Sequence, residues 1–247
     1  MLDELREEVC AANRRLAAEG LARLTWGNTS GIDRREGLVV IKPSGVPYQA
    51  LRPRDLAVVD LDGNVVDGEL KPSSDLPTHL VLYRHFHSIG GIAHAHSSYA
   101  TTFAQACREI PCLGTTHADH FAGTIPVTRA LTAAEIEEDY TGHTGRVIVE
   151  RMRARDPAAM PAVLVAHHGP FAWGASANGA VDNAVALETV AEMAFGTLSL
   201  RPDIGSVPDC LSAFHFARKH GDGATYGQRL ACKAALPEVK GHGFRVP

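Results

Sequence analysis

Two short apolar runs that each end in histidine constrain this chain more than any other feature. Gly90-Gly91-Ile92-Ala93-His94-Ala95-His96 and Ala162-Val163-Leu164-Val165-Ala166-His167-His168 are short, continuous and rich in aliphatic residues, the pattern of buried strands. In an extended run, residues at i and i+2 point to the same face, so His94 and His96 leave the backbone roughly 6–7 Å apart and can turn toward one ion. A third imidazole is available from His167 or His168, and a carboxylate from Asp75. Three imidazoles and an acid form the ligand set of Zn2+, Mn2+ or Fe2+. Spacing alone leaves the choice between His167 and His168 open.

The rest of the chain fits an ordinary α/β protein. Of 247 residues 45% are hydrophobic and 21% charged, enough for one core or at most two small ones. A formal net charge of -4 argues against a general nucleic-acid surface. No apolar run approaches the length that spans a bilayer. Leu2 to Glu8 already has an amphipathic helix pattern, not that of a leader peptide. Five widely spaced cysteines (Cys10, Cys107, Cys112, Cys210, Cys232) contain no C-x-x-C pair, which points to free thiols and a cytoplasmic setting.

Leu2, Leu5, Val9, Ala12 and Leu16 form a helical stripe that should end near Gly20. Leu38–Ile41 and Leu56–Val59 are strand-like, and Asp62-Gly63-Asn64 reads as a hairpin turn. A helix is expected to start at Ser73-Ser74-Asp75 and run toward His87, another over Tyr99–Ala106, and a third behind a Thr132/Glu135 capping box. The spacing also predicts a long helix over Asn178–Leu200 and a last one near Pro208–His220, closed by Gly221 as a C′ glycine. Strands that come both as hairpins and with intervening helices indicate a mixed α/β sandwich.

Several polar clusters admit two readings. Asp75, Ser73 and Ser74 could simply cap a helix, or the same helix start could present hydroxyls and N–H groups to a phosphate. The loops Trp26-Gly27-Asn28-Thr29-Ser30-Gly31 and Lys42-Pro43-Ser44-Gly45 are ordinary turns, or they bring backbone donors, Asn28, Lys42 and Ser44 close to an anion. Neither has P-loop spacing. Thr115-Thr116-His117-Ala118-Asp119-His120 offers general acids and bases, or another cap.

In order, the blocks LTWGNTSGID, IKPSGVPY, KPSSDLPTH, SIGGIAHAHSSYATTFAQA, GTTHADHFAGTIPVTR, LVAHHGPFAWG and RKHGDGATYGQ resemble the class II aldolase and epimerase family, and within it the L-ribulose-5-phosphate 4-epimerases. The resemblance runs from about Leu2 to Gln228. It implies an α/β fold: a single-domain α/β/α sandwich with a mainly antiparallel central sheet over 1–228, followed by a C-terminal extension at 229–247. It also implies a homotetramer with active sites at subunit interfaces, and Zn2+ held by Asp75, His94, His96 and His168. Gly27, Asn28, Ser44, Gly45, Ser73 and Ser74 match substrate-holding positions, and Lys42, a donor in the second loop, is expected to bind substrate beside them. Asp119 and Tyr226 match a proton-transfer pair supplied by a neighbouring subunit, with Thr115 and His215 beside them.

The activity so implied inverts C4 of a phosphopentulose (L-ribulose 5-phosphate to D-xylulose 5-phosphate) by retro-aldol and aldol steps. In the family's aldolases the acid of the Ser-Ser-acid block is a glutamate; the shorter Asp75 matches the epimerases. A class II aldolase cleaving a related sugar phosphate is the alternative. Thr141, after Tyr140, stands where the epimerases lead one to expect an acid.

Overall fold

A computed structural model describes residues 2–221 and 224–225. The strands are β1 (Asn28–Asp33), β2 (Leu38–Ile41), β3 (Ala57–Asp60), β4 (Val65–Asp67), β5 (Gly91–His94), β6 (Ala162–Val165) and β7 (Gly169–Gly174). They form one sheet in the order β4-β3-β2-β1-β5-β7-β6, antiparallel at every pairing. The helices are α1 (Asp3–Ala18), α2 (Leu76–His85), α3 (Ser98–Gln105), α4 (Thr115–Ala118), α5 (Ala133–Met152), α6 (Ala177–Leu200) and α7 (Asp209–His220).

Adjacent residues of β1 show how the layers are assigned. The Ser30 hydroxyl meets His79 and Tyr83 of α2, whereas Gly31 faces Leu5 and Val9 of α1 and Ala177 of α6. Neighbouring strand residues point to opposite faces, so α2 and its partner α5 cover one side, and α1, α3 and α6 the other. The expected α/β/α sandwich with an antiparallel central sheet is what the chain forms.

Three glycines side by side, Gly31, Gly91 and Gly174, cross β1, β5 and β7 in register. A Cβ at Gly31 would lie 2.9 Å from side-chain carbons of Leu5 and Val9, and one at Gly174 would lie 2.6 Å from the backbone of Gly179. At Gly91 a Cβ would overlap the backbone of Ser176 and Ala177. The row is a flat lane that lets the first turn of α6 rest directly on the sheet.

Most expected elements are present within a residue or two. The Thr132/Glu135 capping box opens α5, with Thr132 accepting from the Glu135 amide. Two strands were not legible. β1 is Asn-Thr-Ser-Gly-Ile-Asp, a polar run that is buried because its side chains find partners: Asn13 of α1, for example, bonds both backbone groups of Thr29 at 2.8 and 2.9 Å. β7 carries a proline and two glycines, yet it is buried and pairs on both edges. Gly221 does close α7, but at φ -78° and ψ 167° it is extended, not the left-handed C′ residue expected.

Candidate metal centre and anion pocket

The sheet register builds the site. Asn28 on β1, His94 on β5 and Phe171 on β7 stand directly opposite one another, so they share the face covered by α2. His94 is the last residue of β5, His96 follows it, and His168 lies in the turn between β6 and β7. The ligand atoms of His94, His96 and His168 all lie within 4.8 Å of one another. The choice left open by spacing is resolved in favour of His168: His167 has φ 62° and faces outward, with its Nε2 3.4 Å from Cys107 Sγ.

A backbone partner prepares His94 to act as a ligand. Pro170 can only accept, so His94 Nδ1 carries the proton and donates to its carbonyl at 2.9 Å, leaving Nε2 with a free lone pair. The same ring stacks on Phe171 at 4.1 Å. Burial pulls the titration of all three imidazoles downward, with His168 brought to about 3. Neutral rings converging without donors between them match a divalent cation. The donor set therefore fits the metal that the sequence implied.

Asp75 is the N-cap residue of α2, but its side chain makes no capping bond. Its carboxylate instead accepts from Asn28 Nδ2 at 2.6 Å, and it lines one cavity with His94 and His96. It is not one of the three converging ligands. Burial raises its carboxyl, but His94, His79, Asn28 and His168 outweigh this and hold it below the usual range, as a carboxylate. One turn further along α2, His79 Nδ1 is 2.7 Å from Ser30 Oγ, which also meets the Tyr83 hydroxyl at 2.8 Å. These contacts pin α2 to β1 and so fix the placement of Asp75.

The cavity, about 440 Å³, brings together Gly27, Asn28, Lys42, Ser44, Gly45, Ser73 and Ser74 beside the histidines. Gly27 and Gly45 both adopt left-handed backbone, at φ 79° and 70°. The Lys42 side chain is almost fully buried (2% exposed). Its ammonium meets the Pro43 carbonyl at 3.3 Å and the face of Tyr48 at 4.8 Å from the ring centre. Among the described residues no carboxylate pairs with it, which leaves a buried cation facing the cavity. Asn28 Oδ1 is likewise buried without a partner among the described residues.

The expected cradle of backbone amides is only partly free. The Ser44 amide donates to Lys71 and the Ser73 amide to Lys42, at 2.9 and 3.0 Å. These bonds, with the Pro43–Pro72 bridge, join the two loops into one wall. Charge and hydroxyls, rather than those two amides, are what the wall offers an anion. Sequence reasoning gave Tyr48 no role, although it closes the IKPSGVPY block. Its hydroxyl donates to the Trp26 and Gly27 carbonyls at 2.7 Å, tying the Gly27 loop to the Lys42 loop.

Asp119 and its neighbours form a second group, away from this cavity. Asp119 Oδ1 is 2.9 Å from His215 Nδ1 and 3.9 Å from Arg218 Nε, and its carbonyl accepts from His220 at 2.8 Å. Thr115 begins α4 and accepts the Asp119 amide through its carbonyl. Within one chain none of these residues lines the histidine cavity. Tyr226 and the extension at 229–247 lie outside the described residues.

A family model, the Class II Aldolase and Adducin N-terminal domain, matches residues 7–195. The chain belongs to this family. An L-fuculose 1-phosphate aldolase is 26% identical, with a TM-score of 0.74 over 87% of this chain and 95% of that one. YgbL from Klebsiella pneumoniae, a candidate aldolase/epimerase/decarboxylase, is 27% identical, with a TM-score of 0.69 over 87% and 99%. The fold is shared with a sugar-phosphate aldolase from Thermotoga maritima at 21% identity, with a TM-score of 0.61 over 83% and 98%. The structure and the family together describe a class II aldolase-family protein with a three-histidine centre suited to a divalent metal.

Proposed function

We propose that this class II aldolase-family protein is a metal-dependent lyase that cleaves a phosphorylated ketose into a three-carbon ketone and an aldehyde. The observation that carries this reading is a three-imidazole cluster, of which His94 and His96 line the cavity, facing a buried lysine that has no carboxylate partner among the described residues. The likeness to an L-fuculose 1-phosphate aldolase supports it. His94, His96 and His168, with Asp75 adjacent, would hold a divalent ion, which supplies Lewis acidity toward the sugar's carbonyl and neighbouring hydroxyl oxygens.

The chain's own residues account for the rest. Lys42 neutralises the phosphate and fixes its position, helped by the hydroxyls of Ser44, Ser73 and Ser74. Asn28 Oδ1 accepts from a sugar hydroxyl. Cleavage requires a base for the hydroxyl proton on the carbon that becomes the aldehyde. Asp119 with His215 takes this role at the cavity of a second copy of the chain, since neither lines the cavity of its own. Breaking the bond between C3 and C4 leaves its electron pair on C3, conjugated with the C2 carbonyl. Release as a ketone requires a proton at C3, which water entering the cavity supplies, while Asp119 with His215 returns the hydroxyl proton to solvent.

One observation favours a second reading. The Asp75 carboxylate is held by Asn28 at 2.6 Å, and aspartate is shorter than the glutamate implied for the aldolases. A tethered, short acid is a poor carrier of the C3 proton. The aldehyde would then turn over and re-add, inverting C4 of L-ribulose 5-phosphate to give D-xylulose 5-phosphate.

The deciding experiment follows L-fuculose 1-phosphate and L-ribulose 5-phosphate by NMR with zinc-loaded, manganese-loaded and chelator-treated protein. Accumulation of ketone and aldehyde, lost with chelator and restored by metal, is the expected result. Conversion of L-ribulose 5-phosphate to D-xylulose 5-phosphate without accumulating fragments selects the second reading. Metal-loaded protein that converts neither sugar refutes both.

A further inference from the structure

Between β6 and β7, His168 meets a tyrosine that no motif singles out. The Tyr140 hydroxyl is 3.3 Å from His168 Nδ1, with the rings 6.0 Å apart and tilted by 40°. We propose that Tyr140 is a positioning residue for the metal centre: its hydroxyl accepts the Nδ1 proton of His168 and so commits Nε2 of that ring to the metal. This rests on the reading of His94, His96 and His168 as ligands. Tyr140 then does for His168 what the Pro170 carbonyl does for His94. Such outer partners fix both the tautomer and the angle of a ligating ring.

The local fold is arranged around this contact. α5 is not continuous: Asp139, the residue before Tyr140, leaves the helix at φ -162° and ψ 80°. Its Oδ1 accepts from the Gly142 amide at 2.9 Å, so Asp139 is the N-cap of a new helical segment. A Cβ on residue 142 would collide with that carboxylate, which accounts for glycine at this position. The new segment is fastened next to the site. Thr144 Oγ1 donates to the Tyr140 carbonyl at 2.8 Å, and Thr78, three residues beyond Asp75, donates to the Thr141 carbonyl at 2.6 Å. Residue 141 therefore contributes its backbone, and a threonine there in place of an acid leaves the device intact. An unbroken helix would carry residue 140 with a different orientation; the break turns the phenol onto His168.

The test needs no substrate, so it stands apart from the question of which reaction is catalysed. Tyr140→Phe removes one oxygen from a partly exposed ring (42% exposed). The metal-free variant should melt with the parent. Its Zn2+ affinity, measured against a chromophoric chelator, should fall on the order of 10- to 100-fold, and the visible bands of the Co2+-loaded protein should shift. Asp139→Ala keeps the phenol but loosens the break, and should weaken Zn2+ binding in the same direction. Unchanged Zn2+ affinity and an unchanged Co2+ spectrum in Tyr140→Phe overturn the assignment, whatever Asp139→Ala does. A parent protein that binds neither ion overturns it together with the ligand set.

Discussion

A buried histidine commits a protein to a protonation state, and this chain buries several. His117 on α4 is only 4% exposed, and its Nε2 donates to the Gly123 carbonyl at 2.8 Å. Burial brings its titration down from the ordinary value near 6.5 to about 4. The folded state thus resists protonation while the unfolded chain accepts a proton near 6.5. The stability that His117 contributes is complete above that pH and is lost as pH falls toward 4. We expect metal-free protein to lose urea resistance over this window. In His117→Gln, which keeps a donor, the decline should be shallower by about 1 kcal/mol per pH unit. Equal slopes for the two proteins would show that His117 is not the group that titrates. At this scale the sequence was legible wherever chemistry sat in consecutive residues: His94 with His96, Asp75 behind two serines, Lys42 before Pro-Ser-Gly. It was silent where a role depends on a contact across the fold, as with Tyr48 and Tyr140. A lone tyrosine looks the same in a sequence whether or not it meets a ligand.

Among the elements, those recognised in advance have a strong apolar period or an explicit cap: α1, α6, and α5 behind Thr132 and Glu135. β1 and β7 were missed because their burial comes from neighbours rather than from apolar side chains. β1 hides a hydrogen-bonded polar row, and β7 ends in the glycine that completes the flat lane under α6. That lane gives the element-scale prediction. A methyl at residue 91 would meet the backbone of Ser176 and Ala177, and backbone cannot rotate aside as a side chain can. Gly91→Ala should therefore cost about 3 kcal/mol, at the upper end of overpacking effects, read as a fall in the denaturation midpoint. Because β5 also carries His94, metal binding should weaken alongside. A variant as stable as the parent would mean that α6 does not rest on the sheet there. The break in α5 was likewise beyond sequence reasoning, since Asp139 in mid-helix has no distinguishing local pattern.

For the whole molecule, the fold's contribution is to place residues far apart in the chain on one face of one sheet. Asn28, His94 and Phe171 become neighbours only through strand order, and Asp75 joins them because α2 is pinned to β1. The family was legible from ordered blocks, and the fold that came with it is the one observed. The blocks favoured epimerisation over cleavage, two proposed chemistries that share a first bond-breaking step and differ in the fate of one proton, and the likeness to an L-fuculose 1-phosphate aldolase supports the alternative. The Asp119–His215 pair lies apart from the cavity of its own chain, and the proposed proton transfer therefore places it at the cavity of a second copy. The proposed chemistry depends on a single ion being held by three imidazoles. Its most direct test is the equilibrium metal content of the protein after zinc loading and exhaustive dialysis, compared with His94→Ala and His168→Ala. We predict one zinc per chain for the parent and substantially less for each variant at unchanged folding. A parent that retains no zinc, or variants that retain as much as the parent, would contradict it.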